Sequence, residues 1–459
     1  MNRVYLGIDL GTSSVKALCR YMNGECEKTK VNYDDISPDG WYKAVIKAVS
    51  ELDTSEVAAV GLSSQVGTYI VNGADVISWN DSPGDEELKT IKSKYSKEIF
   101  IKETAMPHPD IKSYPIPRLK YIQRKYGDGA EVCQPKDLIG KMLTGGYATD
   151  KYSWRGLAHT ESGKYSKTFL ETVGQPKLPP IIGFTDKLGE ITASASKLSG
   201  IPEKTPVYTG LNDYFSSLVG MGITNVRDMF DITGTSEHLG IIENGLNADT
   251  ALVSGPYIDH YVHYGVTASS GASLSFGMDN FGLDDIGLSK SVISSAPIFL
   301  PYLNGERAPV FDGDARGVFF GIDSKCGREN LAYAVLEGVA FSVFHIYERL
   351  GAPSADKITV SGGASMNKTL NTLKAELFDM TVITLEESDT SALGAAMIAA
   401  VGEGEYPDIC EAAKEFCVHG ESFTPTGNLN ELLHKRFNVY KKLYPVLKDM
   451  YKEYKEVQL

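Results

Sequence analysis

The sequence predicts an α/β fold in two domains, and three observations support this prediction. The chain has 459 residues, which is too long for one ordinary hydrophobic core and fits two domains of about 200 residues or slightly more. Apolar runs that read as strands alternate with segments of helical periodicity. A hairpin motif near the N-terminus recurs close to the midpoint, which indicates duplicated domains. We therefore expect domains at residues 1–222 and 223–459.

The first hairpin, Val4–Arg20, has a polar tip. A short apolar strand ends at Asp9, and Gly11 turns the chain into a second strand. Gly11, Thr12 and Ser13 offer backbone N–H groups and hydroxyls to an anion. The Asp9 carboxylate could hold a hydrated divalent cation against that anion. The segment thus predicts a metal–nucleotide phosphate site, while an ordinary turn stays open as the alternative for this hairpin alone.

The second hairpin, Asp231–Gly240, repeats the order of acid, apolar residue, Gly-Thr-Ser and apolar return. It begins 222 positions after Asp9. A matched pair of polar tips in corresponding places favours phosphate bound between two lobes over a plain turn.

Composition excludes several classes of partner. The formal net charge of −14 and the pI near 5.2 disfavour nucleic acid and anionic membrane surfaces, although a nucleotide can still bind through a bridging cation. No run approaches the roughly 18 apolar residues of a membrane span, and the N-terminus shows no cationic and apolar leader. We expect a cytoplasmic protein. The six cysteines form no C-x-x-C pair, so zinc and disulfides are not expected.

Polar side chains follow several of the expected strands. The buried strand Val57–Leu62 ends in the polar residues Ser63, Ser64 and Gln65, and Val76–Asp81 also ends in polar residues. Ligands gather at the carboxyl ends of strands in open α/β sheets. In a loop-like segment further on, Trp154 could stack on a sugar ring and Arg155 could bind a charged end. A solvated loop with one aromatic anchor remains an equal alternative there.

The segment Pro206–Gly222 reads as a strand, a turn and the helix Phe215–Met221. Asn212 and Asp213 lie on the turn, which puts the Asp213 carboxylate near a helix N-terminus. That position favours the ionised carboxylate, which suits a base. The alternative is that Asp213 only caps the helix, since caps are far commoner than catalytic bases.

The second half contains a βαβ unit at Lys357–Thr384. Gly362 and Gly363 lie between its first strand and a helix that begins at Asn367. Bare glycine backbone beside a helix start suits the adenosine part of a nucleotide, although such pairs also form plain turns. The chain also contains a Gly/Ser-rich segment at Thr267–Gly277, a long helix at Leu331–Leu350 read as a core helix, and a charged C-terminal helix read as a surface helix.

These motifs resemble those of the FGGY carbohydrate kinases, within the actin-like ATPase superfamily. The resemblance covers nearly the whole chain in family order, and the Pro301–Ile322 loop is its most specific part. It is carried by GIDLGTSSVKA (Gly7–Ala17), GLNDYFSSLVGMG (Gly210–Gly222), DITGTS (Asp231–Ser236), PYLNGERAPVFDGDARGVFFGI (Pro301–Ile322), VSGGASMN (Val360–Asn367) and SALGAAMIAAVGEG (Ser391–Gly404).

The resemblance implies two ribonuclease-H-like domains with ATP and a sugar in the cleft between them. It implies that Asp213 is the general base for a primary sugar hydroxyl and that Asp9 holds Mg²⁺ through water. The nucleotide contacts that it implies are Gly11, Thr12, Ser13, Gly234 and Thr235 for phosphate, and Gly362, Gly363 and Asn367 for adenosine.

The sugar is less well defined, because the chain departs from the family pattern. Xylulose-type members commonly carry Q-M-H-G where this chain has Q-V-G-T at Gln65–Thr68, and Tyr214, Glu237 and His238 also look unusual. A pentulose or related ketose is the leading expectation. An aldonic acid such as gluconate, or a polyol, is the alternative, with Arg155 as a carboxylate partner. The expected sugar contacts are Gln65, Trp79, Asp81, Trp154, Arg155 and Asn212.

Two functions of other classes compete with the kinase. A nucleotide-binding sensor or slow ATPase would phosphorylate no sugar, and Asp213 would then be only a cap. A dinucleotide-dependent oxidoreductase is set aside, because no G-x-G-x-x-G follows an expected strand. The sequence does not give the oligomeric state, and a homodimer is kept as one alternative.

Overall fold

The computed structural model describes residues 3–81, 83–107, 112–247, 252–283 and 286–457. Their strands are, in chain order, β1 Val4–Leu10, β2 Ser14–Tyr21, β3 Cys26–Asn32, β4 Val57–Ser64, β5 Tyr69–Val71, β6 Asp75–Ile77, β7 Val132–Cys133, β8 Thr149–Asp150, β9 Ile181–Ile182, β10 Lys187–Glu190, β11 Pro206–Asn212, β12 Met229–Thr233, β13 Glu237–Glu243, β14 Val253–Tyr257, β15 His260–Val266, β16 Ile298–Leu300, β17 Val318–Phe320, β18 Lys357–Gly362, β19 Thr381–Leu385 and β20 His419–Phe423.

The helices of the same residues include one short 3₁₀ turn, Gly363–Met366, after β18. The α-helices are, in chain order, α1 Pro38–Ser50, α2 Asp85–Lys94, α3 Lys97–Thr104, α4 Pro115–Tyr126, α5 Pro135–Thr144, α6 Lys167–Thr172, α7 Ala193–Ser199, α8 Asp213–Gly220, α9 Ser270–Phe281, α10 Lys290–Ser295, α11 Arg328–Arg349, α12 Lys368–Phe378, α13 Thr390–Gly402, α14 Ile409–Phe416 and α15 Asn430–Val457.

The chain divides into two compact units. The first contains 1–224, 255–261 and 389–418, and the second contains 225–254, 262–388 and 419–459. The expected boundary after residue 222 lies close to the first crossing. The sequence boundary does not anticipate the return of α13 and α14 to the first unit, because that return depends on contacts between residues far apart in the chain.

The first unit is built on a six-stranded sheet in the order β10-β11-β4-β1-β2-β3. β1 and β2 form the expected antiparallel hairpin, whereas β1 pairs parallel to β4 and β4 pairs parallel to β11. Alternate residues of β1 face opposite sides of the sheet. Val4, Leu6 and Ile8 enter the core that also contains Trp41 of α1.

Glycines allow α13 to pack directly on the other side of this sheet. A Cβ on Gly7 of β1 would lie 1.8 Å from the carbonyl oxygen of Ala392, and one on Gly61 of β4 would lie 1.9 Å from that of Ala395. A Cβ on Gly394 of α13 would meet the carbonyl oxygen of Ser216 on α8 at 1.9 Å. Backbone therefore touches backbone here, and α13 becomes a fixed part of the first unit.

The second unit is built on a seven-stranded sheet in the order β14-β15-β13-β12-β18-β19-β20. β12 and β13 form the second expected hairpin, β12, β18 and β19 run parallel, and β20 is antiparallel to β19. The first sheet has the same succession of hairpin, two further parallel strands and an antiparallel edge strand. The prediction of duplicated hairpins in similar settings is confirmed.

α11 is the central core helix of the second unit, with residues such as Leu336, Val339 and Phe341 fully buried. Among the described residues it is also the helix that is long and apolar enough to cross a membrane, by length and composition. This criterion averages over a window and admits charged residues such as Glu337, so it differs from the uninterrupted run of about 18 apolar residues considered in the sequence. Since 78% of its most apolar window is buried inside the protein, the interpretation as a core helix is confirmed.

The Gly/Ser-rich segment after β15 forms α9, which low helix propensity alone does not predict. Ser273 is fully buried, and Gly277 lets Val335 of α11 approach, since a Cβ there would lie 2.8 Å from its Cγ1. α15, read as a surface helix, instead buries Phe437 and Tyr440 in the core of the second unit. Tertiary packing decides both segments.

Candidate active site

Three parallel strands of the first unit end at one edge of the sheet. Ser64 of β4 lies in register between Leu10 of β1 and Asn212 of β11. Asp9 is the penultimate residue of β1, and Asp213 directly follows β11. The edge thus combines the polar tip of the first hairpin with the carboxylate expected to act as the base.

The cap of α8 is Asn212 and not Asp213. The Asn212 side chain accepts a hydrogen bond from the backbone N–H of Phe215 at 3.0 Å, and its φ and ψ of −65° and 162° are those of an N-cap. Asp213 is the first helical residue. Asp213 is therefore not the N-cap, although its Oδ1 still accepts the first-turn N–H of Tyr214.

The Asp213 carboxylate is half-buried and oriented by backbone. The N–H groups of Val66 and Tyr214 both donate to Oδ1, at 3.2 Å and 2.9 Å. Burial, helped by the negative charge of Asp9, raises the pKa of Asp213 from 3.8 to about 7. A carboxylate with this pKa exchanges a proton readily near neutral pH, as a general base must.

Asp9 is buried and accepts two hydroxyl hydrogen bonds. Ser63 Oγ donates to Oδ1 at 2.9 Å, and Ser391 Oγ donates to Oδ2 at 2.5 Å. Burial raises the pKa of Asp9, so its ionised form lacks full compensation from the protein. Sequence reasoning noticed Ser63 only as a polar strand end. It missed Ser391, which lies 382 positions away and carries no local signal.

The first hairpin tip is exposed at Thr12 and Ser13, and the Gly11 N–H donates to the Ser14 carbonyl at 2.9 Å. The indole N–H of Trp79 donates to Thr12 Oγ1 at 3.0 Å. The structure therefore brings a residue expected to contact the sugar directly against one expected to contact phosphate.

The other expected sugar contacts differ in solvent exposure. Gln65 is 3% exposed, and its Oε1 accepts a hydrogen bond from Thr68. Asp81 is exposed, and its Oδ2 accepts one from the Ser78 N–H at 2.7 Å. Trp79 is 43% exposed and free to present its ring to a ligand.

Two of the expected sugar contacts are core residues. Trp154 is 0% exposed, packs between Tyr69 and Tyr165, and donates its indole N–H to Thr149 Oγ1 at 3.1 Å. The prediction that its ring stacks on a sugar is wrong, because the ring fills the core. Asn212 is 2% exposed and committed to the cap, so its side chain is not available to a sugar either.

Arg155, next to Trp154 in the chain, has a different environment. It is half-buried, and its guanidinium carbon lies 5.2 Å from the ring centroid of Phe215, two residues after Asp213. Gly255 lets this guanidinium pack closely, since a Cβ there would lie 2.8 Å from Nε. A positive charge thus lies beside the first turn of α8.

In the second unit, the expected nucleotide residues lie at one edge of the sheet. Thr233 at the end of β12 is in register with Gly362 at the end of β18. Gly234 and Thr235 form an exposed tip beyond β12. Gly362 has a φ of +89°, and a Cβ there would lie 2.0 Å from the Thr233 carbonyl oxygen, so only glycine fits.

The remaining adenosine candidates flank the start of α12. Gly363 is exposed, and a Cβ built on it would meet nothing within 4 Å. The Asn367 side chain caps α12 by accepting from the Leu370 N–H at 2.8 Å, and it is partly exposed. The expected bare backbone beside a helix start is therefore present.

Asp231, the acid that opens the second hairpin, pairs with a lysine, whereas Asp9 accepts hydrogen bonds from two serine hydroxyls. Lys374 of α12 donates to Asp231 Oδ2 at 2.6 Å and also to Glu237 Oε1, and all three are at most 1% exposed. Glu237 also accepts from Ser270. His238 stacks on Tyr264, and burial lowers its pKa to about 4. These unusual residues are structural groups under the tip.

Comparison of the sequence with models of known protein families identifies the family of this chain. Residues 4–220 match the N-terminal domain of the FGGY family of carbohydrate kinases, and residues 230–403 match its C-terminal domain. The chain belongs to the FGGY family of carbohydrate kinases. It is therefore an ATP-dependent sugar phosphotransferase.

Individual relatives cover the chain almost completely. A xylulose kinase from Staphylococcus xylosus is 26% identical over 489 residues, which cover 96% of this chain and 99% of the relative. The crystal structure of a gluconate kinase from Lactobacillus acidophilus has a TM-score of 0.85 at 22% identity, with 99% of this chain and 100% of that chain covered. A ligand-bound xylulose kinase from the same organism has a TM-score of 0.84 at 21% identity, with 98% and 100% covered. These structures show that the fold of this kinase is the actin-like ATPase fold.

Proposed function

We propose that this kinase phosphorylates a primary hydroxyl of a small ketose, with xylulose as the leading substrate. The observation that carries the proposal is the Asp213 carboxylate, which lies at the same sheet edge as Asp9 and whose pKa is raised to about 7. Xylulose kinases that are 25–26% identical to this chain cover nearly its whole length, which supports the ketose.

In the proposed reaction, Asp213 takes the proton of the sugar hydroxyl. With Oδ1 held by the N–H groups of Val66 and Tyr214, Oδ2 is the oxygen that accepts this proton. The hydroxyl oxygen forms a bond to the γ-phosphorus, the bond from that phosphorus to the β–γ bridging oxygen breaks, and ADP leaves. The protonated Asp213 later returns its proton to water.

We assign the remaining nucleotide contacts by the same reasoning. The exposed backbone and hydroxyls of Thr12 and Ser13 at the tip of the first unit would bind phosphate oxygens, and Gly11, whose N–H donates to Ser14, would let the phosphate approach closely. Asp9 would hold Mg²⁺ through water, since its buried carboxylate is only partly compensated by two serines. Mg²⁺ would neutralise phosphate charge when bound. In the second unit the proposed contacts are Gly234, Thr235, Gly362, Gly363 and Asn367.

A second candidate substrate is an aldonic acid such as gluconate. The observation that favours it is the Arg155 guanidinium, which lies over Phe215 beside the helix that begins at Asp213. A planar guanidinium pairs well with a carboxylate. Arg155→Lys should then weaken the apparent affinity for gluconate at least tenfold and change that for xylulose by less than about threefold.

Release of ADP across a panel of ketoses, polyols and aldonic acids tests the function. We expect at least one ketose to stimulate ATP turnover, with xylulose giving the largest kcat/KM. Stimulation by aldonic acids alone would favour the gluconate alternative. A flat response across the panel would overturn the proposal and favour a nucleotide sensor.

We also propose that the enzyme acts in the cytoplasm without a nucleic acid or membrane partner. The net charge of −14 supports this, because it repels polyanions. A homodimer stays a prediction, which sedimentation velocity of the purified chain tests.

A further inference from the structure

One hydrogen bond connects two parts of the first unit to which we assign different ligands. Trp79 lies in the loop between β6 and α2, and its indole N–H donates to Thr12 Oγ1 at 3.0 Å. Thr12 is exposed on the tip between β1 and β2, while the Trp79 ring is 43% exposed. The two residues are 67 positions apart, so only the fold brings them together.

Two buried residues, Thr68 and Gln65, hold the Trp79 backbone in this position through hydrogen bonds. The backbone N–H of Trp79 donates to Thr68 Oγ1 at 3.1 Å, and that hydroxyl donates to Gln65 Oε1 at 3.2 Å. Thr68 is 1% exposed and Gln65 is 3% exposed, so the bonds under the ring are protected from water.

The same turn also orients the proposed base. Val66, between Gln65 and Gly67, donates its N–H to Asp213 Oδ1 at 3.2 Å. The Q-V-G-T turn therefore contacts Asp213 on one side and Trp79 on the other. Thr68, which stands where xylulose-type members commonly carry glycine, supplies the hydroxyl that makes the second contact.

A second anchor fixes the loop that carries Trp79. Arg118 is fully buried, and its NH2 group donates to the Ser78 carbonyl at 3.3 Å. Asp81 accepts from the Ser78 N–H at 2.7 Å, which closes the loop on itself. The loop is thus a defined element whose exposed part is the indole ring.

We propose that Trp79 is a positioning residue that couples sugar binding to the phosphate-binding tip through its bond to Thr12. This inference rests on the proposed function and deepens it. A sugar packed against the exposed ring favours the loop conformation in which the indole N–H orients the Thr12 hydroxyl towards phosphate. By linkage, nucleotide bound at the tip must favour sugar binding by the same factor.

The expected coupling is modest because it runs through one exposed hydrogen bond. A neutral hydrogen bond of this kind corresponds to a change of roughly threefold to tenfold in an equilibrium constant. Trp79→Phe keeps an aromatic ring for the sugar and removes the donor. Thr12→Val keeps the shape of the side chain and removes the acceptor. Each change should therefore abolish the coupling through the same bond.

Calorimetric titration of MgADP, with and without saturating D-xylulose, measures the coupling. We expect the sugar to tighten ADP binding at least threefold in the wild-type chain and by less than about 1.5-fold in Trp79→Phe, in Thr12→Val and in the double variant. Ser13→Ala on the same tip is the matched control, which should weaken ADP binding equally with and without sugar. Wild-type coupling retained in Trp79→Phe, or absent from the wild-type chain, would overturn the inference.

Tryptophan fluorescence gives a second readout that needs no sugar. The chain has three tryptophans, and Trp41 and Trp154 are 0% exposed, so iodide should quench mainly Trp79. We expect MgADP alone to change this quenching in the wild-type chain and not in Thr12→Val at saturating nucleotide. An identical change in both would contradict the inference. Failure here with normal turnover on the sugar panel would leave the proposed function intact, whereas a flat panel would remove the function itself.

Discussion

At the scale of single residues, the boundary between β11 and α8 distinguishes the helix cap, Asn212, from the proposed base, Asp213. The sequence alone does not show which of the two caps the helix. Asn212 has the dihedral angles of a cap and satisfies the helix N–H group of Phe215, so Asp213 enters the helix as its first residue, with only Oδ1 bonded to backbone N–H groups. Burial and the charge of Asp9 then raise its pKa. One residue thus caps the helix, and we propose that its neighbour supplies the chemistry.

The pKa of Asp213 predicts a specific pH dependence. Because the base must be unprotonated and its pKa is raised to about 7, kcat/KM should fall about tenfold per pH unit below pH 7. An unperturbed carboxylate would keep its activity down to about pH 5. Initial rates of ADP release between pH 5 and 9 measure this, and a flat profile to pH 5 would contradict the assignment.

Trp154→Phe tests whether the tryptophan belongs to the core. The change removes buried surface and the bond to Thr149, so we expect the free energy of unfolding to fall by about 1–3 kcal/mol. The KM for the sugar should change by less than about twofold. Urea unfolding and steady-state kinetics check the two values, and a large rise in KM with unchanged stability would restore Trp154 as a sugar contact.

Residue roles could be predicted only where the signal is local. Asp9, Gly11 and Asp213 stand beside strand ends and glycine turns, and the structure places Asp9 and Asp213 at one sheet edge. The burial of Trp154 and the bond from Ser391 to Asp9 depend on distant packing, which a loop-like stretch or a serine at a helix start does not reveal.

At the scale of elements, α13 depends on glycines at its contacts. A Cβ on Gly394 would lie 1.9 Å from the Ser216 carbonyl oxygen, which overlaps backbone and cannot be relieved by a side-chain rotation. Although alanine favours a helix interior by about 1 kcal/mol, Gly394→Ala should lower the unfolding free energy by about 1–3 kcal/mol. Gly245→Ala, with open space beside an exposed Cα, is the control for the urea titration. Equal stability of the two variants would contradict the close contact between Gly394 of α13 and Ser216 of α8.

The buried cation under the second hairpin gives a separate prediction. Lys374→Met would leave the Asp231 and Glu237 carboxylates facing each other without compensation, which costs about 3–5 kcal/mol. Lys368→Met on the same helix breaks only an exposed pair with Glu421 and should cost less than about 1 kcal/mol. Chemical denaturation measures both.

The loss of stability in Lys374→Met should also depend on pH. Burial and the neighbouring Glu237 raise the pKa of Asp231 and Lys374 opposes that rise, so without the lysine Asp231 should bind its proton more tightly in the folded state. Folded Lys374→Met then binds more protons than the unfolded chain, so its stability should fall as pH rises from 5 to 8. A difference in unfolding free energy between the wild-type chain and Lys374→Met that becomes smaller from pH 5 to pH 8 would contradict this prediction.

Elements were predictable where glycine punctuation and periodicity agreed. Both hairpins and the Lys357–Thr384 unit have the expected order, because their apolar runs and turns specify one local structure. α9 was not predicted as a helix, since serine and glycine have low helix propensity and only packing on α11 makes that segment helical.

At the scale of the whole molecule, duplication explains most of the architecture. Each unit has a sheet with a hairpin followed by parallel strands and an antiparallel edge strand, and each presents a polar hairpin tip. The sequence predicts two α/β domains because the tips recur in its two halves. The return of α13 and α14 to the first unit lies outside such reasoning, since no repeated motif marks it.

The central claim is that Asp213 deprotonates the sugar hydroxyl, and Asp213→Asn tests it most directly. We expect kcat for ADP release with D-xylulose, or with the most active sugar of the panel, to fall at least a hundredfold, because the amide cannot accept the proton. The dissociation constant for MgADP, measured by calorimetry on the same preparation, should change by less than about threefold. A variant with near wild-type kcat and intact nucleotide binding would remove Asp213 from the role of base and contradict the account.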